Sequence, residues 1–160
     1  MKNTKLSRPS WNEYFLAVAT VAESRANCLG SAHVGAVIVK DKYIVATGYN
    51  GTPLGIANCT DGGCERCAKR AAGALAEGQE KEKCICVHAE QNAIAQAAYH
   101  GTATKDATLY CSVKPCSTCA KIIINAGIIA VVYLKDYINN HGEDVLKKAG
   151  VTVTKGKLAT

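Results

Sequence analysis

No run of apolar residues in this sequence is long enough to span a bilayer. The opening stretch "MKNTKLSRPSWNEYF" lacks the apolar segment of a secretory leader. These absences set the expectation of a soluble, cytoplasmic protein with no membrane partner. A dense lysine or arginine run with interleaved aromatics is missing too. There are 19 basic and 13 acidic side chains, giving a formal net charge of +6. Lys2, Lys5, Lys40, Lys42, Lys81, Lys83, Lys147 and Lys148 are scattered along the chain, the pattern of a solvated surface. That balance suits a phosphate-bearing small molecule weakly and speaks against a nucleic-acid groove. Internal repeats and linkers are absent as well, so residues 1–160 read as a single domain.

What is present is more telling. Hydrophobic residues make up 48% of the chain, enough for one sizeable core, and the 20% charged content does not suggest disorder. Nine cysteines are many for this length. An odd count without a leader argues against a disulfide framework and for metal ligation in a reducing compartment.

The first helix is expected over "PSWNEYFLAVATVAESRANC", capped by Ser10, with Glu13 completing a capping box. Phe15, Leu16, Ala19, Val21 and Ala22 would supply its apolar face. Val34–Lys40 and Tyr43–Gly48 are β-branched runs joined by a short Asp-Lys turn, a hairpin. The stretch from Thr52 to Lys83 is irregular, with a short helix or a mobile insertion in "KRAAGALAEGQEKEK". A helix after Val87, a strand "ATLYCSV", a helix after Pro115, a strand "IAVVYLK", a helix around Glu143–Ala149 and a strand "VTVTK" follow. The order α-β-β-α-β-α-β-α-β predicts an α/β fold, a mixed sheet covered by helices. Right-handed crossovers would bring strand C-termini and helix N-termini to one edge, where ligands of such sheets bind.

Two of these helices open with reactive groups. "VHAEQNAIAQAAYHG" begins with His88 and Glu90, and "SVKPCSTCAKIIINAG" begins with Cys116 and Cys119. The two cysteines are one helical turn apart, so both thiolates can face one point. The helix dipole favours their charge, and Pro115 fits just ahead of such a helix. With His88 as third ligand, a tetrahedral zinc keeps one open position, as in a catalytic site. Glu90 can then exchange a proton with an activated water without entering the ligand set. Taken singly, an H-x-E is common by chance, and a C-x-x-C can be a redox pair or half of a structural zinc site. Together and in this order, they make the H-x-E…P-C-x-x-C pattern that marks zinc nucleobase deaminases.

"HAEQNAI" at His88–Ile94, "PCSTCAKIIINAGI" at Pro115–Ile128, "VGAVIV" at Val34–Val39 and "GYNGTPLG" at Gly48–Gly55 resemble the deoxycytidylate (dCMP) deaminase family, part of the cytidine deaminase-like superfamily. The resemblance runs from about Ser24 to Tyr137. It implies a three-layer α/β/α fold around a mixed five-stranded sheet. It also implies zinc-dependent hydrolysis of dCMP to dUMP and ammonia, supplying dUMP for thymidylate synthesis. His88, Cys116 and Cys119 would hold zinc, with Glu90 protonating N3 of cytosine and then the departing amine. Asn50 would hold sugar or phosphate; Ala89 and Ser112 would meet the base edge, and Tyr137 would border the pocket or simply pack. Relatives of this kind are often hexamers activated by dCTP and inhibited by dTTP, with Mg2+ accompanying the triphosphate. Gly48, Tyr49, Asn50 and Gly51 would lie near that effector site. Other readings stand beside dCMP: a bifunctional dCTP/dCMP deaminase, a tRNA or single-stranded DNA nucleobase deaminase, a deaminase of free cytidine, guanine or a pteridine or riboflavin precursor, and a non-catalytic zinc-stabilised binding module in which Glu90 is idle.

The chain departs from the family in "CLGSAHVGAV", where relatives carry arginines before "VGAV". Ser24, Arg25 or His33 would have to serve the phosphate instead, and the other reading of Arg25 is an exposed helix end. The remaining cysteines cluster near the irregular region. A second, structural zinc held by Cys28, Cys59, Cys84 and Cys86 is one reading, since some relatives carry a second zinc built partly from cysteines matching Cys28 and Cys59; free thiols packed as small apolar groups is the other. Cys111 reads as strand packing.

Overall fold

The structure, a computed structural model, describes residues 8–159; Lys2 and Lys5 lie outside that range. Five strands form one sheet in the order β2-β1-β3-β4-β5. These are β1 (Gly35–Lys40), β2 (Tyr43–Tyr49), β3 (Thr108–Val113), β4 (Ala130–Lys135) and β5 (Thr152–Lys155). β1 runs antiparallel to both β2 and β3, whereas β3, β4 and β5 are parallel. The β1–β2 connection is tight, with φ of 50° at Asp41 and 67° at Lys42, both in the left-handed region that matches the strand twist.

Helix α1 (Trp11–Glu23) covers one face of the sheet. Ser10 Oγ accepts the Glu13 N–H at 3.3 Å and the Glu13 carboxylate accepts the Ser10 N–H at 2.8 Å, so the capping box forms as expected. Phe15, Leu16 and Ala19 pack on Val37, Val39, Tyr110 and Val132. Val21 does not join them: it is 69% exposed, and Val18 contributes to the face instead. At about 100° per residue, position 21 falls on the opposite side of the helix from Phe15, Leu16 and Ala19.

Helices α3 (Ala89–Tyr99), α4 (Ser117–Asn125) and α5 (His141–Lys148) cover the opposite face. Ala93, Ala97, Ala120, Ile123 and Leu146 meet Ala36, Ile38, Leu109 and Val131 there. The result is the expected α/β/α arrangement with a mixed five-stranded sheet. α3 approaches β2 so closely that a Cβ at Gly48 would lie 2.2 Å from the Ala89 carbonyl oxygen and 2.4 Å from the Ala93 nitrogen.

The irregular region holds one helix, α2 (Glu65–Ala71), and two short 3-10 turns, Cys59–Asp61 and Lys81–Lys83. The helix lies ahead of the "KRAAGALAEGQEKEK" stretch, mostly outside it. No helix of the described residues is long and apolar enough to cross a membrane.

Candidate active site

β3 ends at Val113, and Lys114 and Pro115 lead straight into α4. Cys116 is the N-cap of α4, with Cys119 one turn on and fully buried. His88 is the N-cap of α3; its backbone N–H donates to the Gln91 side chain at 3.0 Å. The segment before it is fixed by a two-way backbone bridge between Val87 and Gly51, at 2.8 and 3.2 Å. Two helix starts thereby meet at one point.

His88 Nδ1 lies 3.5 Å from Cys116 Sγ and 3.3 Å from Cys119 Sγ. A tetrahedral zinc with ordinary bond lengths separates a nitrogen and a sulfur ligand by about 3.5 Å, so His88 already stands from both cysteines at the spacing between corners of such a site. Hydrogen bonds from Cys119 and His88, at a helix N-terminus, hold the Cys116 thiol down at about 3. The bond to Cys116 raises the His88 imidazole, and the same thiolate together with burial pushes Cys119 up. The trio therefore shares protons that a divalent cation would displace. These residues fit zinc, and three ligands leave its fourth position open.

Glu90 is 4% exposed and faces the same cleft. Burial pushes its carboxyl up, against the opposing pull of the His88 charge and a hydrogen bond from Cys119. A buried carboxyl with a raised pKa beside a metal site is suited to carry a proton.

The cleft measures about 1020 Å³ and runs from this centre to the cysteine-rich loop. Arg66, Arg70, Lys81, Lys114 and Lys135 line it, with Glu77 and Asp136. Lys114 is 4% exposed and paired with Glu143 at 3.2 Å and Asp136 at 3.7 Å. None of the three cations Arg66, Arg70 and Lys114 stood out in the sequence. Arg66 and Arg70 sit on α2, which runs from the end of the irregular "CTDGGCERC" segment into the start of "KRAAGALAEGQEKEK", and Lys114 gains its place from the β3–α4 junction.

The remaining expected residues divide. Asn50, Ala89 and Tyr137 line the cleft. The Asn50 amide, however, holds the neighbouring loop: it accepts from the Val34 N–H at 2.7 Å and donates to Ser31 Oγ at 3.1 Å and to the Ala32 carbonyl at 2.9 Å. Ser112 is fully buried behind the cleft, where its hydroxyl accepts the Gly35 N–H at 3.0 Å; Val113 and Lys114 take its expected place at the strand end. Ser24 and Arg25 are exposed at the end of α1, and neither reaches the cleft. Ser24 Oγ donates to the Val21 carbonyl instead. The nearest guanidinium to the departing segment is that of Arg66, whose Nη1 would lie 3.2 Å from a Cβ at Gly30. Gly48 is packed under α3, and Tyr49 is half-exposed with its carbonyl accepting from the Asn92 amide at 2.8 Å. Cys111 is buried in β3 among the core residues.

The six loop cysteines form their own cluster. The expected quartet is corrected in one member: Cys28, Cys59 and Cys86 group with Cys67, and Cys84 groups with Cys64. Cys67 lies on α2, and that helix turns its sulfur inward.

The sheet and the clustered donors have the form of a zinc-binding region, and the comparisons give its family. The family model described as the cytidine and deoxycytidylate deaminase zinc-binding region matches residues 9–135. The chain belongs to that family. It is 44% identical over 149 residues to the deoxycytidylate deaminase of Saccharomyces cerevisiae, covering 92% of this chain and 45% of that protein. It is 42% identical over 135 residues to the deoxycytidylate deaminase of Mycobacterium phage D29, covering 82% of this chain and 99% of the phage protein. The chain thus spans about half the length of the fungal relative and nearly all of the phage one. The crystal structure of cyanophage S-TIM5 dCMP deaminase with dCMP and dUMP superposes with a TM-score of 0.75 at 33% identity, covering 94% of this chain and 99% of that one.

Proposed function

We propose that this protein hydrolyses dCMP to dUMP and ammonia. The observation that carries the reading is His88, Cys116 and Cys119 gathered beside buried Glu90, at the head of a cleft walled by Arg66, Arg70 and Lys114. His88, Cys116 and Cys119 would hold zinc, which supplies when bound the Lewis acidity that brings a water molecule's pKa towards neutrality. Glu90 takes one proton from the attacking water and delivers it to cytosine N3, then carries the second proton, from the oxygen added at C4, to the amine, which departs as ammonia as the C4 carbonyl forms. Burial of Glu90 excludes bulk water from that transfer. The arginines and lysine suit the 5′-phosphate and stand in for the arginines missing before Val34. Asn50 positions the 31–34 loop over the nucleotide. The names of the relatives, and dCMP in the cyanophage structure, favour this substrate over dCTP or a polynucleotide.

The same reading extends to control by dCTP and dTTP with Mg2+ in a hexamer, to the supply of dUMP for thymidylate synthesis, and to a cytoplasmic setting. The link from Gly51 to Val87 supports it, because it connects the expected effector loop to the residue before His88. A further zinc in the cysteine loop also belongs to this reading, as a closed thiolate site.

The test is ammonia release from dCMP by the wild type and Glu90→Gln, with dCTP and dTTP added in turn. Turnover should fall by about two to four orders of magnitude in the variant, with zinc content unchanged. Equal turnover in the variant would remove Glu90 from the chemistry. Zinc-loaded wild type that fails on dCMP, with or without dCTP, would reject the substrate. Rates indifferent to both triphosphates would reject the control.

A further inference from the structure

Six free cysteines converge in the loop from three separate stretches of chain. Cys28 follows α1, Cys59, Cys64 and Cys67 surround α2, and Cys84 and Cys86 lead towards His88. Two quartets can be drawn among them, each with all sulfurs within 4.8 Å of one another: Cys28, Cys59, Cys67 and Cys86, and Cys64, Cys67, Cys84 and Cys86. Cys67 and Cys86 belong to both. Cys67 Sγ lies 3.8 Å from Cys28, 3.5 Å from Cys84 and 3.8 Å from Cys86. Zinc–thiolate bonds of about 2.3 Å give a tetrahedron with edges of about 3.8 Å, whereas a disulfide needs about 2.0 Å. The spacing is that of sulfurs around metal.

We infer that the loop holds two zinc ions in one six-thiolate cluster, with Cys67 and Cys86 bridging, Cys28 and Cys59 completing one ion and Cys64 and Cys84 the other. This rests on the reading that the loop carries zinc, and it differs in number and connectivity. A single zinc would use either quartet and strand two thiols of the other, Cys64 and Cys84 or Cys28 and Cys59. Two ions use all six and leave neither site an open position, as structural zinc requires. Charge does not oppose the second ion. Four thiolates around one zinc carry a net charge of about −2, and six around two carry about −2 as well.

Independent features surround the sulfurs. The Leu29 N–H donates to Cys59 Sγ at 3.3 Å and the Ser31 hydroxyl to Cys28 Sγ at 3.4 Å, as donors to thiolates would. A Cβ at Gly30 would lie 2.7 Å from Cys67 Sγ, so the chain passes directly over that sulfur and any side chain there would have to displace it. Arg66, 8% exposed between Cys64 and Cys67, keeps positive charge near the cluster and is itself oriented by the Gln79 carbonyl at 3.0 and 3.2 Å. The cluster would brace the cleft wall that carries Arg66, and through Cys86 the segment that ends in His88.

The test counts and connects the metals. Native mass spectrometry of the purified zinc protein should show three zincs per chain, and Cys116→Ser should show two, retaining the loop pair. Two zincs in the wild type, falling to one in that variant, would mean a single loop ion and overturn the cluster while leaving the loop-zinc reading intact. One zinc in the wild type would overturn both, and the dCMP assay would stand or fall separately. Substitution with 113Cd then reads the bridge: scalar coupling between two cadmium resonances in the all-sulfur range is expected, and two uncoupled resonances would overturn the shared thiolates.

Discussion

Asn50 shows how far a single side chain can differ from its motif. In "GYNG" it reads as a nucleotide contact, and it does line the cleft. Its amide is nevertheless committed to Val34, Ser31 and Ala32. Asn50→Ala would leave the part-buried Val34 N–H without its partner, at a cost of about 1–3 kcal/mol. Denaturant unfolding should show that loss, and KM for dCMP should rise as the 31–34 loop relaxes. Unchanged stability with a raised KM would instead make Asn50 a direct ligand. His88, Glu90, Cys116 and Cys119 were legible because their chemistry depends on short spacings within helix starts. Arg66 and Cys67 were not, because "CTDGGCERC" looks like loop, and nothing in its composition says that Cys64 caps a helix turning both residues inward.

Element boundaries followed the sequence where a local device marks them. The Ser10–Glu13 capping box and the Asp41–Lys42 turn are both present. The packing distance between α3 and β2 was not legible, since it depends on two segments about forty residues apart. Gly48 sets that distance. In Gly48→Ala the added methyl meets backbone, which cannot swing aside as a side chain would. Helix α3 should move away, with a stability loss of about 1–3 kcal/mol. Because His88 and Glu90 ride on the first turn of α3, turnover should fall as well. Equilibrium unfolding and steady-state kinetics on the same preparation check both; wild-type values in both would mean that α3 accommodates the methyl without cost.

At the scale of the molecule, the β3–α4 junction is tied to α5 through charge. Lys147 and Lys114 hold the Glu143 carboxyl below its ordinary value of 4.5. A carboxyl lowered in the folded state contributes stability above its unfolded value, and that contribution disappears as pH falls through the folded one. Thermal stability should therefore hold from neutrality to about pH 4.5 and decline below it. Lys114→Ala should reduce the acid-side slope, and an unaltered profile would show that Lys147 alone sets the Glu143 ionisation. The mixed sheet behind this junction was readable from the alternation of strands and helices, whereas the buried position of Lys114 depends on how α5 closes over it.

Sequence order separates the two proposed sets of sulfur ligands. All six loop cysteines lie between residues 28 and 86, whereas the centre beside Glu90 needs Cys116 and Cys119. Chains are synthesised from the N-terminus and begin to fold as they emerge. On the ribosome, one ligand set is therefore complete before the other exists. If the loop cysteines hold metal as proposed, they can do so while β3 and α4 are still unmade, with Cys86 two residues ahead of His88, and His88 then emerges next to a segment already fixed.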